Sequence, residues 1–326
     1  MNGVQPDGMA RSQRDSDPPD RCPGSLPAVS AVLVTHNRPK LMREALASIL
    51  DKHYPGDIEV LVVHDSTEPD PSLIRDDPHR RVRVLTNERT SGLAGARNTG
   101  ILAADHEIVA FCDDDDTWLP GKLESQVRRL EQRPGAAFVT TAMAVVYDGV
   151  TTVRRAGREV VTIRELARSR MAMLHSSSFV FRRSAMIDGF GLVDETLPRS
   201  MAEDWDLLIR AARMHPIEHV DEPLVSIRWG TTSYFNDSWQ DKTDAHAWLL
   251  DRHPEIRADP VGAGLTYGKL AFGHAVLRHR RKALRYALQA SRSNWREPRA
   301  LLAVAVVAGV PGRSIQAALN RRGHGI

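Results

Sequence analysis

Four consecutive aspartates, Asp113-Asp114-Asp115-Asp116, directly follow the apolar run Ile108-Val109-Ala110-Phe111-Cys112. A run that short reads as a buried strand, so the carboxylates emerge together at its end, in partly desolvated space. There they repel one another, and a divalent cation offsets the repulsion. Oxygen ligands select Mg2+ or Mn2+, ions that keep waters and bridge to substrate phosphates. Capping the next helix would need only one Asp. A metal held this way suits a phosphate-containing donor, whose leaving diphosphate it neutralises and orients. A second acidic group, Glu203-Asp204-Trp205-Asp206, opens a helical pattern. Acids in a first turn complement the helix dipole, and one of them is also a candidate base for an attacking hydroxyl. His175, ahead of Ser176-Ser177-Ser178, is a candidate to line a pocket or add a metal contact.

The elements that must position these groups follow from periodicity. Strands are expected at Ala31–Val34, Ile58–Val63, Val82–Leu85, Ile108–Cys112 and Ala136–Val146, each a short apolar run. Helical patterns separate them. One carries Leu41, Ala45, Leu46 and Ile49, with Asn37 as its expected cap and Pro39 in its first turn. Others run over Gly95–Ala104 and from Pro120 to Leu130. Alternation of this kind implies an α/β fold with a mostly parallel sheet. In such sheets ligands sit beyond the carboxyl ends of the strands. Thr35-His36-Asn37, His64-Asp65-Ser66 and Asp113–Asp116 all fall there. Later, Ser178–Phe181 and Val220–Ile227 read as strands and Glu203–Met214 as a helix; beyond Asp237 only helical patterns remain.

Across 326 residues the net charge is only +3, but it is unevenly spread. From Lys269 to Ile326 there are twelve Lys or Arg and one acidic residue, Glu297, so this region carries +11 and the rest −8. The expected organisation is a disordered tail over 1–27, a catalytic domain over 28–236 and a basic, all-helical region over 237–326. Hydrophobic residues at 42% and charged residues at 26% are ordinary for a globular chain and exclude collagen-like and low-complexity classes. Cys22 and Cys112 lie in dissimilar surroundings, which favours a reducing cytoplasm over a disulfide. The first twenty residues lack the apolar stretch of a secretory signal, and no run is long enough to span a bilayer. Arg278, Arg280, Arg281, Lys282 and Arg285, beside Leu284 and Leu288, suit the inner face of an anionic membrane as well as a solvated helical bundle. No nucleic-acid reading motif accompanies them.

Taken in order, five segments resemble the successive motifs of glycosyltransferase family 2. They are Val32–Arg38, Val62–Ser66, Gly92–Asn98, Phe111–Pro120 and Glu203–Asp206. The resemblance implies a GT-A fold, a nucleotide-diphosphate-sugar donor, a divalent metal (Mn2+ or Mg2+) and inversion at the anomeric carbon. It places Thr35, Asn37 and Asp65 in the nucleotide pocket, with His64 where the family has an acid. Arg97 and Asn98 fall on the diphosphate side, and Asp113 and Asp114 join the donor-binding residues. Its Asp-x-Asp maps onto Asp113 and Asp115, with Asp115 as the direct metal ligand and Asp114 and Asp116 as substitutes. Asp204 becomes the general base. Glu203, Trp205 and His175 fall on the acceptor side, where Trp205 either faces a sugar or fills core, and Asp206 faces solvent or caps. The acceptor would be a glycan, a lipid-linked molecule or a small molecule.

Two other readings compete. Asp113-x-Asp115-x-Thr117 also satisfies the motif of haloacid-dehalogenase-type phosphatases, in which an Asp attacks phosphorus. That motif opens its domain, whereas three strand–helix units precede it here. A non-catalytic sugar-nucleotide-binding protein is the other. The chain has no Walker loop and no Gly-x-Gly-x-x-Gly after a strand, which argues against P-loop and dinucleotide enzymes. Ser91–Asn98 offers backbone N–H groups and Arg97 to a phosphate, and reads equally well as a plain Gly-containing connection.

Overall fold

A computed structural model describes residues 26–50, 53–229, 238–312 and 314–315. Cys22 and the first 25 residues of the expected tail lie outside the described residues. Leu26 is buried and the Tyr54 hydroxyl donates to the Pro27 carbonyl, so both residues pack against the domain just ahead of the first strand.

That strand, β1 (Val29–Thr35), leads through α1 (Pro39–Ile49) to β2 (Ile58–His64) and β3 (Arg80–Thr86). The chain then returns through α2 (Leu93–Ala103) to β4 (Ile108–Asp113), on the other side of β1. All of these pair in parallel, with Val34 opposite Asp113 and Thr35 opposite His64. The strands read as unbroken apolar runs because both faces are covered. Val32 and Val34 pack into the layer that includes α2, whereas Ala31 and Leu33 pack with Met42 and Leu46 of α1. Asn37 does not cap α1: it takes a left-handed φ of 55°, and Arg38 occupies the cap position without a side-chain bond. Pro39 starts the helix as expected.

After β5 (Thr117–Trp118) and α3 (Lys122–Gln132) come β6 (Phe138–Tyr147), β7 (Val150–Arg154), β8 (Val160–Val161) and α4 (Ile163–Arg168). β9 (Val180–Arg182) runs antiparallel between β4 and β6, which makes the sheet mixed. The short α5 (Arg183–Ala185) and a loop lead to α6 (Glu203–Met214) and then β10 (Ile217–Arg228), parallel to β6. The final sheet order is β3-β2-β1-β4-β9-β6-β10-β5.

The C-terminal helices are α7 (Trp239–Arg252), α8 (Pro254–Ala258), α9 (Pro260–Val276), α10 (Arg280–Ser293) and α11 (Pro298–Val307). Leu249, Leu250, Ile256 and Leu270 share one core with Trp205, Leu207 and Leu208 of α6, so these helices are packed into the catalytic layer. Two glycines permit the close approaches. A Cβ at Gly262 would lie 2.0 Å from the Ala167 carbonyl of α4, and one at Gly273 2.2 Å from Thr243 Oγ1 of α7. Among the described residues no helix is long and apolar enough to cross a membrane.

Candidate active site

The order 3-2-1-4 makes β1/β4 the point where connections diverge, and in sheets of this kind ligands bind beyond the carboxyl ends of the strands at that point. Polar groups from both ends meet there. Thr35 Oγ1 donates to Asp114 Oδ2 at 2.9 Å, and the His36 amide donates to the same oxygen at 3.3 Å. Arg38 Nη1 bridges Asp114 (3.2 Å) and Asp115 (2.7 Å). At the end of β2, Asp65 accepts from the Gly92 amide (3.0 Å) and from Asn87 Nδ2 (2.8 Å), which ties down the loop before α2. Gly92 has a φ of 121°, which a side chain would strain. Asn37 is exposed at the rim.

The loop does not present free N–H groups at every position. The Gly92 amide is taken by Asp65 and the Ala94 amide by Ser200 Oγ at 3.1 Å. Arg97 and Asn98, expected on the diphosphate side, are likewise engaged with protein. Arg97 is fully buried over the Phe111 ring. Its guanidinium joins Asp113 Oδ1, at 2.6 Å, to Glu203. Asn98 brackets the Val193 backbone, donating to its carbonyl (2.8 Å) and accepting from its amide (3.0 Å). It thereby clamps onto α2 the Gly189–Glu195 segment, which leads to α6.

The aspartate run divides in two. Asp114 and Asp115 face Arg38, while Asp113 and Asp116 face the turn Ser176–Ser178. Ser176 Oγ donates to Asp113 Oδ2 at 2.9 Å, and Ser177 Oγ donates to Asp116 Oδ2 at 2.6 Å. Burial pushes Asp114, Asp115 and Asp116 above the usual carboxylate range, and repulsion from their neighbours adds to it. Burial acts on Asp113 too, but the Arg97 charge outweighs it and holds Asp113 below that range. Asp113, Asp116 and His175 each offer a ligand atom, and these atoms lie within 4.8 Å of one another. Burial depresses the His175 pKa against the attraction of Asp113 and Asp204, which favours a neutral imidazole, whose Nδ1 accepts from the Ser177 amide at 3.3 Å. Two carboxylates, a neutral imidazole and an excess of crowded negative charge fit a divalent cation. Asp115, the ligand implied by the family pattern, stands outside this trio and pairs with Arg38.

Glu203 and Asp204 occupy the first turn of α6, buried. Three residues just before it, Arg199, Ser200 and Ala202, have left-handed φ values of 51°, 54° and 62°. Such conformations cost about 1–2 kcal/mol each without glycine, so the entry to this helix is held under strain. Burial raises Asp204, but the charge and hydrogen bond of Arg170 (Nη2–Oδ2, 2.6 Å) prevail and keep it ionised. Glu203 behaves oppositely. Burial pushes it up to about 7, because Arg97 is shared with Asp113 and Asp204 adds repulsion. Neighbouring carboxylates are thus driven apart, one toward the protonated and one toward the ionised form.

Trp205 takes one of its two expected readings and Asp206 neither. Trp205 is fully buried and its Nε1 donates to the Leu166 carbonyl at 2.8 Å, so it fills core and offers no face to a sugar. Asp206 is inaccessible to solvent and caps nothing: it pairs with His253 (2.9 Å) and Arg210 Nε (2.9 Å). Trp118 is also core, donating to the Ser177 carbonyl at 3.0 Å. The sequence reading assigned no role to Arg38 or Arg170. Arg38 sits inside a quoted motif and was findable by position. Arg170 lies in a surface-like Arg/Ser stretch, where only the packing of α4 against α6 brings it to Asp204.

Comparison with known proteins agrees with this arrangement. Residues 30–190 match Glycosyl transferase family 2. The uncharacterized glycosyltransferase YwdF of Bacillus subtilis is 26% identical over 234 residues, 70% of this chain and 83% of that protein. Escherichia coli WfgD, a UDP-Glc:alpha-D-GlcNAc-diphosphoundecaprenol beta-1,3-glucosyltransferase, is 33% identical over 100 residues, 30% of this chain and 39% of the relative's length. Among solved structures, S. aureus TarS 1-349 in complex with UDP-GlcNAc superposes with a TM-score of 0.60, at 17% identity, covering 91% of this chain and 92% of that one. With the sheet order, the aspartate run and the Glu-Asp helix start, these matches identify the chain as a glycosyltransferase of family 2 with the GT-A fold.

Proposed function

We propose that the chain transfers a glycosyl group from a nucleotide-diphosphate-sugar to an acceptor hydroxyl with inversion, Asp204 serving as general base. The observation that carries this reading is the pairing of Asp204 with Arg170. It keeps a buried carboxylate ionised and able to accept a proton at neutral pH. Arg97 ties the helix that holds Asp204 to the end of β4, so donor and acceptor sides keep one spacing. Thr35, Asn37 and Asp65 border the nucleotide side. Asp113, Asp116 and His175 would hold the divalent cation, with Asp114 and Asp115 beside it. When bound, that cation neutralises the leaving diphosphate. The donor class is supported by the UDP-sugars in the names of WfgD and the TarS complex. The acceptor class, a lipid-linked or cell-envelope glycan, is supported by the lipid diphosphate in the WfgD name. Asp204→Asn should bind a UDP-sugar with Mn2+ normally and lose about 10²-fold or more in turnover. Turnover equal to that of the parent would refute the assignment. Product anomeric configuration, read by NMR, tests inversion.

The C-terminal helices supply a second element, a peripheral membrane contact. Their packing faces are alanine: Ala283, Ala287 and Ala290 of α10, and Ala300 and Ala303 of α11, are buried. Tyr286, Leu302, Val306 and Val307 pack against them, while other large apolar side chains are exposed, Trp295 to 79% and Leu301 to 73%, with Leu284, Leu288 and Val304 exposed as well. Exposed Arg280, Arg281, Lys282, Arg285, Arg292 and Arg296 share these helices and their connection. Apolar groups ringed by cations suit an anionic bilayer surface, where each basic residue contributes about 1 kcal/mol. Deleting 269–326 would remove Leu270 from the core, so point changes are the cleaner test. Flotation with anionic vesicles should be lost in Trp295→Glu/Leu301→Glu and weaken with salt. Failure of the parent to float at low salt would refute the contact.

A further inference from the structure

Beside Asp204 lies a group of cations of which the chemistry above uses only Arg170. Gly262, at the start of α9, sits against the carbonyl end of α4, two residues before the chain leaves helix toward Arg170. Lys269 is seven residues on, hence on the same face of α9. The adjacent Gly268 is close-packed on α11, where a Cβ would stand 2.8 Å from Glu297 Cγ and 3.1 Å from Arg299 Cβ, and Lys269 comes within electrostatic reach of Arg170, Arg299, Glu297 and Asp204. Of these cations, Arg170 pairs with Asp204, and Arg299 pairs with Glu297 at 2.8 Å. Among the described residues, Lys269 has neither a carboxylate within ion-pair distance nor a hydrogen-bond partner. It is partly accessible, and the Arg170 side chain beside it is 43% exposed, so the cluster opens to solvent.

We propose that Lys269, flanked by Arg170 and Arg299, binds a phosphoryl group of the acceptor, placing the acceptor hydroxyl near Asp204. The proposal rests on the reading of Asp204 as the base. Burial and the charges of Arg170 and Arg299 push the Lys269 pKa down to about 7. Three cations facing two carboxylates leave an excess that one arriving phosphate would balance. Charge-assisted bonds to phosphate oxygens from a lysine and flanking arginines are the stronger kind. His246, on α7, also faces the group, but it is held neutral and adds no charge.

The test is binding of inorganic pyrophosphate to the full-length chain in EDTA, so that the aspartate site cannot recruit it through a metal. The parent should bind, Lys269→Met should weaken binding about 10-fold or more, and Lys269→Arg should stay within about threefold of the parent. Lys269→Gln provides a second neutral side chain should Met disturb α9. Equal affinity in the parent and both neutral variants, or no binding by the parent, overturns the proposal. With the site confirmed, a prenyl-diphosphate sugar against a glycerol phosphate oligomer distinguishes the sources: tighter binding of the first assigns a lipid diphosphate, of the second a polymer phosphodiester. Asp204→Asn should keep pyrophosphate affinity or increase it. Failure of the base assignment is therefore read in turnover, and failure of this site in metal-free binding.

Discussion

Replacing Asp206 by Ala should be among the most damaging changes available outside the substrate site. Its carboxylate is inaccessible to solvent and holds Arg210, four residues along α6, and His253, at the junction of α7 and α8. Arg210 in turn donates to the Gly191 carbonyl at 2.9 Å, fastening the loop that precedes α6. Removing the carboxylate leaves a buried guanidinium without its counter-charge and a buried imidazole nitrogen without its partner. Breaking a buried pair in this one-sided way costs about 3–5 kcal/mol. At roughly 2–3 °C per kcal/mol for a chain of this size, the unfolding midpoint should fall by about 6–15 °C. Circular dichroism melts measure this directly. His253→Ala should cost less, and the double variant less than the sum, because the two changes share one interaction. The loss should also reach activity in the native fraction, since Asp204 stands two residues away on the same helix turn. An Asp206→Ala midpoint within about 2 °C of the parent would refute the view that this network locks the C-terminal helices to the catalytic layer.

Other changes carry equally definite expectations. Lys122 is fully buried, its ammonium 4.0 Å over the Trp118 ring with no hydrogen-bond partner among the described residues, and burial pushes its pKa down to about 7. Lys122→Met should leave the melting midpoint unchanged or raise it, and a fall of more than about 3 °C would contradict this. The His246 pKa is pushed down to about 3 by burial and by the Lys269 charge. The unfolded chain therefore binds a proton near pH 6.5 that the folded chain refuses until about pH 3. Stability is fully present above 6.5 and declines as pH falls toward 3. His246→Phe should flatten that decline in pH-dependent urea melts, and an unchanged slope would count against the assignment. At Gly100 an added Cβ would stand 2.4 Å from Val32 Cγ1 in the packed face between α2 and β1. Gly100→Ala should cost about 1–3 kcal/mol despite its better helix propensity, and Val32→Ala in the same chain should recover part of the loss.

The amino-acid sequence by itself determined the architecture wherever one local rule governed. Apolar runs at β1, β2 and β4 announced strands covered on both faces, since an exposed face would have required alternation. The residues that end them announced the functional edge of the sheet, and the four aspartates announced a shortage of positive charge there. The 3.6-residue pattern from Glu203 to Met214 located the helix that carries Asp204. What depends on partners distant in sequence was not legible. A strand's direction leaves no mark on its own composition, so the reversal at β9 appeared only with the pairing. Arg97 and Asn98 sit in a loop that suggests phosphate, yet they are bound to Asp113, Glu203 and Val193 from other elements. At the start of α6, the choice for Trp205 between a sugar face and the core was settled only by Leu166, and Asp206, read as solvent-facing or capping, is instead held by His253. The basic C-terminal helices looked separable because their charge differs from the rest of the chain. Burial of Leu249, Leu250, Ile256 and Leu270 in the catalytic core, and the close approach of α9 to α4 at Gly262, arise only when these helices pack on the rest of the chain. Composition and periodicity register what each segment prefers; which segments meet is settled by the packing of the whole chain, and there the buried charges find their partners.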